Sequence, residues 1–131
     1  MRAESNLDRL LQTMFPRLHK DPYVFMTSKK GFSAKISAGA VMTFKENEGI
    51  TLIIERDKAS VVQKKNQDTW AMITLQVHSD LNAVGFLAAL TQKLAEAKIP
   101  VNAVSAFHHD HIFVPWARRH EAMKILRSFR V

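Results

Sequence analysis

This sequence predicts an α+β fold made of two small related units, each an antiparallel sheet with helices on one face. Three observations predict it. Residues 70–131 run strand, polar turn, helix, strand, turn, strand, helix. Residues 5–62 offer a less complete version of that succession. A polar, unpatterned stretch from Lys64 to Thr69 separates the two. A β-α-β-β-α order with short connections is the split βαβ of the ferredoxin-like arrangement, whose helices gather on one side of the sheet. The expected division is therefore 1–65 and 66–131. It has the form of a structural duplication, although no direct sequence repeat is visible.

The first half opens on a helix. Ser5 and Asp8 stand three apart as in a capping box, and Leu7, Leu10, Leu11 and Met14 follow at helical spacing. Pro16 and the Asp21-Pro22 pair close that helix, because proline has no N–H to continue it. Tyr23-Val24-Phe25-Met26, apolar and rich in aromatic and β-branched residues, is expected as a buried strand. Lys29 to Gly39 has the glycines and serines of a loop. Val41–Phe44 and Ile50–Ile54 flank a polar connection ending in Gly49, the pattern of a hairpin. Asp57 could cap a short helix through Ala59, Val61 and Val62. In this reading the first half is α-β-β-β with a further short helix, a unit lacking its opening strand.

The second half is clearer. Met72–Val77 is a strand, and His78-Ser79-Asp80 a turn whose small polar side chains suit a helix start. Val84, Leu87, Ala88, Thr91, Leu94 and Ala95 recur at helical spacing, and Pro100 ends the segment. Gly85, Ala88 and Ala89 are small enough to bring the first turns close to a sheet. Val101–Phe107 and Ile112–Val114 are strands joined through His108-His109-Asp110. Ala122, Ile125, Leu126 and Phe129 form the stripe of a last helix, with Arg119, Lys124, Arg127 and Arg130 mostly off it.

Composition narrows the function. In 131 residues, 47% hydrophobic and 24% charged, one compact domain or two very small ones is expected. The longest apolar run, Ala83–Leu90, is far short of the ~20 residues a membrane helix needs. The N-terminus mixes both charge signs around no apolar core, which argues against a secretory signal and for the cytoplasm. The chain has no cysteine, so thiolate nucleophiles, cysteine metal ligands and disulfides are excluded together. The net charge of +7 is spread over separate places such as Lys29-Lys30, Lys64-Lys65 and Arg118-Arg119. Aromatics do not interleave with these residues as a base-stacking surface requires, which argues against nucleic acid as the main partner.

No catalytic motif is present: no G-x-S-x-G, no glycine-rich phosphate loop and no H-E-x-x-H. His78-Ser79-Asp80 are neighbours in sequence and cannot easily stack as base, nucleophile and orienter. The chain is expected not to be an enzyme and to need no cofactor. His108, His109, Asp110 and His111 are the one potential metal cluster, since imidazole and carboxylate suit zinc or nickel. Along an extended chain, however, neighbours point to opposite faces, so not all of them can converge. A polar hairpin is the preferred reading. A metal site there, or a basic nucleic-acid-binding surface, are the alternatives.

The run from Val77 to Pro115 resembles the ACT-type regulatory domains, and most closely a small stand-alone group of tandem ACT-like proteins. The resemblance rests on Asp80-Leu81-Asn82-Ala83-Val84-Gly85 after the strand, on Ile99 through Ala106, on Asp110 through Pro115, and on Glu46 through Leu52 in the first half. It covers most of the chain. It implies a regulatory protein that binds a small metabolite, an amino acid being the expected class, where two ACT domains meet. It also implies pairing into a homodimer. The ligand would lie near the loop after the first strand and the start of the helix, on Ser79, Asp80, Leu81, Asn82, Val84, Gly85, Asn102 and Val104. The chemistry agrees. A helix N-terminus has unpaired amides for a carboxylate, Asp80 could hold an ammonium, Asn102 both donates and accepts, and Gly85 allows close approach. Plainer roles are open as well: Asp80 as a helix cap, Gly85 as a packing residue, and Asn102 satisfying a strand end.

Overall fold

The computed structural model describes residues 5–59 and 67–130. Its contacts divide the chain into two compact units. One takes residues 1–20 together with 71–131, and the other takes Asp21–Trp70. The elements in order are α1 (Leu7–Thr13), β1 (Phe15–Ser28), α2 (Ala34–Gly39), β2 (Met42–Glu46), β3 (Gly49–Glu55), β4 (Trp70–Gln76), α3 (Phe86–Glu96), β5 (Asn102–Ser105), β6 (Asp110–Pro115) and α4 (Arg119–Arg127). Strand β1 therefore gives its first part to the larger unit and its remainder to the smaller one.

Each unit contains a split βαβ. In the smaller, β1-α2-β2 has β3 inserted between its two strands, antiparallel to both. In the larger, β4-α3-β5 has β6 inserted in the same way, antiparallel to β5. The first part of β1 stands on the other side of β4, so the larger unit has the strand order β1-β4-β6-β5. This is the ferredoxin-like plan of the α+β class.

The core of the larger unit lies between the sheet and its helices. Ala71, Ile73 and Leu75 alternate inward along β4, as the period of two requires. They meet Leu10 and Met14, Phe86, Leu90 and Leu94 of α3, Ile112 and Val114 of β6, and Ala122, Met123 and Leu126 of α4. In the smaller unit Val24, Leu52, Ile54 and Ala59 form the core, with Met26, Phe32, Ile36 and Ala40 packed on it.

Several local expectations change. Asn6, not Ser5, caps α1, accepting from the Arg9 amide at 3.0 Å. The prolines end that helix but do not break the strand: β1 runs through Pro16 and Pro22. The residue before a proline is driven to extended geometry, and Pro22 sits just ahead of the stretch Tyr23–Ser28 that pairs with β3. The region 29–39 is not all loop, because α2 forms there with Ser33 accepting from the Ile36 amide at 3.2 Å. With α2 in place the first half is α-β-α-β-β, and β1 is the opening strand that had been expected to be missing. The hairpin forms as expected, tightened to the two residues Asn47-Glu48. A single 3-10 turn covers Arg56–Ala59, while Val61, Val62 and Lys64–Asn66 lie outside the described residues.

Helix α3 starts later than its spacing suggested. Gly85 is its N-cap at φ +90°, and Phe86, Leu90 and Leu94 form the buried stripe. Val84 lies before the helix and is 84% exposed. A Cβ at Gly85 would make only ordinary contact with the Leu7 side chain of α1, at 3.4 Å, so the φ of +90° rather than close packing calls for glycine. At the other end Lys98 takes a left-handed conformation, and the Ile99 amide returns to the Leu94 carbonyl at 3.0 Å, with Ile99 buried. That is a helix stop of the Schellman kind.

Candidate functional site

The loop between β4 and α3 lines a cavity of about 180 Å³ within the larger unit. Ser79, Asp80, Leu81 and Ala83 come from the loop, and Gly85, Phe86, Leu87 and Ala88 from the start of α3. Ser105, Ala106 and Asp110 complete it from the β5–β6 hairpin. Ser105 and Asp110 are cross-strand partners, so they arrive side by side.

Asp80 shapes the loop. Its Oδ1 accepts from the Asn82 amide at 2.8 Å, and its carbonyl accepts from the Ala83 amide at 2.9 Å. This is an Asx turn, in which the side chain imitates a backbone acceptor. Asp80 is therefore not the helix cap. Gly85 holds that position and has no side chain to offer, and no side-chain cap bonds the first turn. The first helical hydrogen bond runs from the Ala89 amide to the Gly85 carbonyl at 2.9 Å. The amides of Phe86, Leu87 and Ala88 lie ahead of it, without an intrahelical acceptor, at the positive end of the helix dipole. The cavity thus brings the start of α3 together with two carboxylates, Asp80 and Asp110.

Of the eight residues singled out from the sequence, Ser79, Asp80, Leu81 and Gly85 line this cavity. Asn82 and Val84 belong to the same loop but are exposed outside it. Asn102 and Val104 lie on β5 opposite Phe113 and His111, and alternation puts them on the other face from Ser105. Sequence reasoning missed Ala83, Phe86, Leu87, Ala88, Ser105 and Ala106. It read Asp110 as part of a histidine cluster. The β5–β6 register, which brings Ser105 to Asp110, was the missing signal.

The histidines are spread apart. The rings of His109 and His111 are 6.4 Å apart between centroids, and those of His78 and His108 are 5.8 Å apart. Among the described residues no three histidine, cysteine, aspartate or glutamate side chains are placed to share a metal ion. His111 instead joins a chain across three strands. Thr74 on β4 is 5% exposed, and its Oγ1 lies 2.7 Å from His19 Nε2 on β1 and 2.9 Å from His111 Nδ1 on β6. Burial pushes both imidazoles below their ordinary value of 6.5. Arg17 and His111 add to this at His19, and His109 adds at His111, where Asp110 works the other way.

Two ACT-domain family models match in tandem, one over residues 2–69 and the other over residues 65–128. The chain belongs to the ACT-domain family. It is similar over 95% of its length to a solved protein of unknown function from Vibrio cholerae, described as a possible transport protein. That match has 39% identity, a TM-score of 0.83 and 96% coverage of the other chain. A protein from Agobacterium tumefaciens aligns at 13% identity and TM-score 0.70, covering 88% of each chain. The aspartokinase α and β subunits align at 11% identity and TM-score 0.61, over 87% of this chain and 95% of that one. These two distant matches speak for the fold. No curated protein matches the chain. ACT domains are regulatory modules, so the role is a regulatory, ligand-binding one. No helix among the described residues is long and apolar enough to cross a membrane.

Proposed function

We propose that this tandem ACT protein is a cytoplasmic sensor of a small α-amino acid, held in the cavity at the start of α3, and that it is not itself an enzyme. One observation carries the reading: uncapped amides of α3 and the carboxylates of Asp80 and Asp110 border one cavity. An α-amino acid has the complementary ends. Its carboxylate suits the amides, and its ammonium suits the carboxylates. The size supports a small side chain, because about 180 Å³ lies below the ~300–1,000 Å³ of ordinary ligand pockets.

In this reading residues 1–65 and 66–131 are the two ACT repeats, and α1 and the first part of β1 pack with the second repeat. Leu81, Val84 and Phe107, 68%, 84% and 69% exposed, adjoin the cavity in sequence. They offer an apolar surface on which a second copy closes the site, and ligand would bias that association.

Thermal melting and isothermal titration across the common amino acids test the proposal. Glycine, alanine or serine should raise the melting temperature by mass action, and tryptophan and arginine should not. Asp80→Asn keeps the Oδ1 that builds the loop and removes the charge. It should weaken binding about tenfold or more while the fold stands. If no amino acid raises the melting temperature, or if large ones bind as well as small ones, the proposal fails.

A further inference from the structure

The excess positive charge is unevenly shared between the two units. The unit of residues 1–20 and 71–131 carries eleven lysines and arginines against six aspartates and glutamates. Asp21–Trp70 carries eight against six. From Arg118 to Arg130 there are five lysines and arginines and one acidic residue, Glu121. Helix α4 gathers them. Ala122, Met123 and Leu126 turn its apolar side to the core. His120, Lys124 and Arg127, at spacings of four and three, share one exposed side. Glu121 is held by Arg118, whose Nε donates to it at 2.7 Å. Arg119 lies 3.8 Å over the Trp116 ring and donates to the Trp116 carbonyl. Lys124, Arg127 and Arg130 have no carboxylate partner among the described residues.

This stripe of cations ends on an aromatic ring. The Arg130 amide donates to the Arg127 carbonyl at 3.2 Å, so the chain keeps turning past the end of α4. The Arg130 guanidinium carbon then lies 5.3 Å from the centre of the Phe15 ring, and Phe15 is 57% exposed. Arg17, also exposed, follows on the same side of β1. Phe15 and Arg130 are far apart in sequence. The interleaving of aromatic and cation that the sequence lacks is made here by the fold.

Such a surface attracts a polyanion. A membrane fits it poorly, because the apolar residues of α4 are committed to the core and cannot enter lipid. An acidic peptide would answer the cations but leave the Phe15 ring in water. An unpaired nucleotide answers both. Its phosphate takes paired N–H bonds from a guanidinium, and its base has a π-face for the ring. In a duplex those faces are stacked on one another and closed to Phe15.

We propose that Lys124, Arg127, Arg130 and Phe15 form a binding surface for single-stranded nucleic acid. Phosphates lie along the stripe and beside Arg17, and one base stacks on Phe15. The surface shares no residue with the α3 cavity, so this proposal and the amino-acid reading can fail separately.

The test is fluorescence anisotropy of the full chain with a labelled oligothymidylate of about 12 nucleotides, beside an abasic strand of the same length. With four cations on phosphates, log K should fall with log salt at a slope of about −3, roughly fiftyfold from about 50 to about 200 mM. Oligothymidylate should bind about tenfold more tightly than the abasic strand, the value of one base on an aromatic ring. Phe15→Ala should remove that advantage and leave the abasic strand unchanged. Lys124→Gln with Arg127→Gln should weaken both strands by about tenfold and roughly halve the salt slope. All three positions are exposed, and the strand comparison on the unaltered chain needs no variant. Lys29→Gln with Lys30→Gln, in the other unit, should leave both affinities within about twofold. No binding at low salt, a slope near zero, or equal binding of the two strands would overturn the proposal. So would an equal loss from the Lys29 and Lys30 changes, or full displacement of the strand by polyglutamate at equal charge.

Discussion

Thr74→Val tests the link between the hydrogen-bonded chain on the sheet and the pH response of the protein. Valine keeps the β-branched shape and removes only the hydroxyl. That hydroxyl makes two contacts, at 2.7 Å to His19 and 2.9 Å to His111. A hydroxyl has one proton, so it donates to one ring nitrogen and accepts from the other. Each such bond contributes about 0.5–1.5 kcal/mol net, about 2 kcal/mol for the pair. Both rings are partly exposed, so water recovers some of this and the expected loss is about 1–2 kcal/mol. Urea unfolding at about pH 7.5, where both rings are neutral, would measure it.

Acid sharpens the test. Both imidazoles are held below 6.5 by burial, so near and below pH 6.5 the unfolded chain binds more protons than the native one. Stability is then full above 6.5 and falls as the pH drops through the lowered native values. Protonating the ring that accepts from Thr74 abolishes one of the two bonds in the native chain. The deficit of the variant should therefore shrink toward one bond, about 1 kcal/mol or less, as the pH falls. A variant as stable as the parent at pH 7.5, or a deficit that grows in acid, would refute the reasoning.

Three further outcomes are expected. Gly85→Ala places a side chain at φ +90° and a Cβ 3.4 Å from Leu7 Cδ2, and should cost about 1–2 kcal/mol in a denaturant melt; an unchanged midpoint would count against the left-handed cap. Leu90→Ala empties a fully buried position facing the sheet, and should cost about 2–5 kcal/mol by the same assay. Arg118 donates through Nη2 to the Ala97 carbonyl at 3.0 Å and through Nη1 to the Lys98 carbonyl at 3.4 Å, while its Nε holds Glu121 at 2.7 Å. Arg118→Ala should speed hydrogen exchange at Ala97, Lys98 and Ile99 while leaving the β4 amides slow, and uniform acceleration across the chain would argue against a local role.

What the sequence disclosed follows from the kind of signal each element carries. The apolar stretches Met72–Leu75 of β4 and Ile112–Val114 of β6 stand apart from the polar turns beside them, so the split βαβ of the second half is legible. Helix α2 was not legible, because Ala34–Gly39 buries no residue fully and has no stripe to detect. Its partly buried Ile36 on the smaller core accompanies the helix, and the Ser33 cap is a single hydroxyl among several serines. Pro16 and Pro22 carried two meanings at once. Each forbids a helix and each favours an extended neighbour, and only the first meaning was used for the residues before Tyr23.

The candidate site divides along the same line. Ser79, Asp80, Leu81 and Gly85 are contiguous or nearly so, and a loop before a helix brings such residues together without help from the rest of the fold. Ser105 and Asp110 meet through a register, and a one-residue slip in it would turn Val104 inward in place of Ser105. Asp80 shows how a correct location can hide a wrong role: an aspartate five residues ahead of Gly85 is too early to cap, yet its Asx turn sets the path by which the chain reaches that glycine. One side-chain amide illustrates the remaining limit. Gln67 comes from the polar stretch read as a boundary, and nothing in its neighbours announces that its amide reaches the Phe25 carbonyl. A polar side chain in a loop is ordinary; one oxygen of it shut away from water without a donor is a property of the folded chain alone.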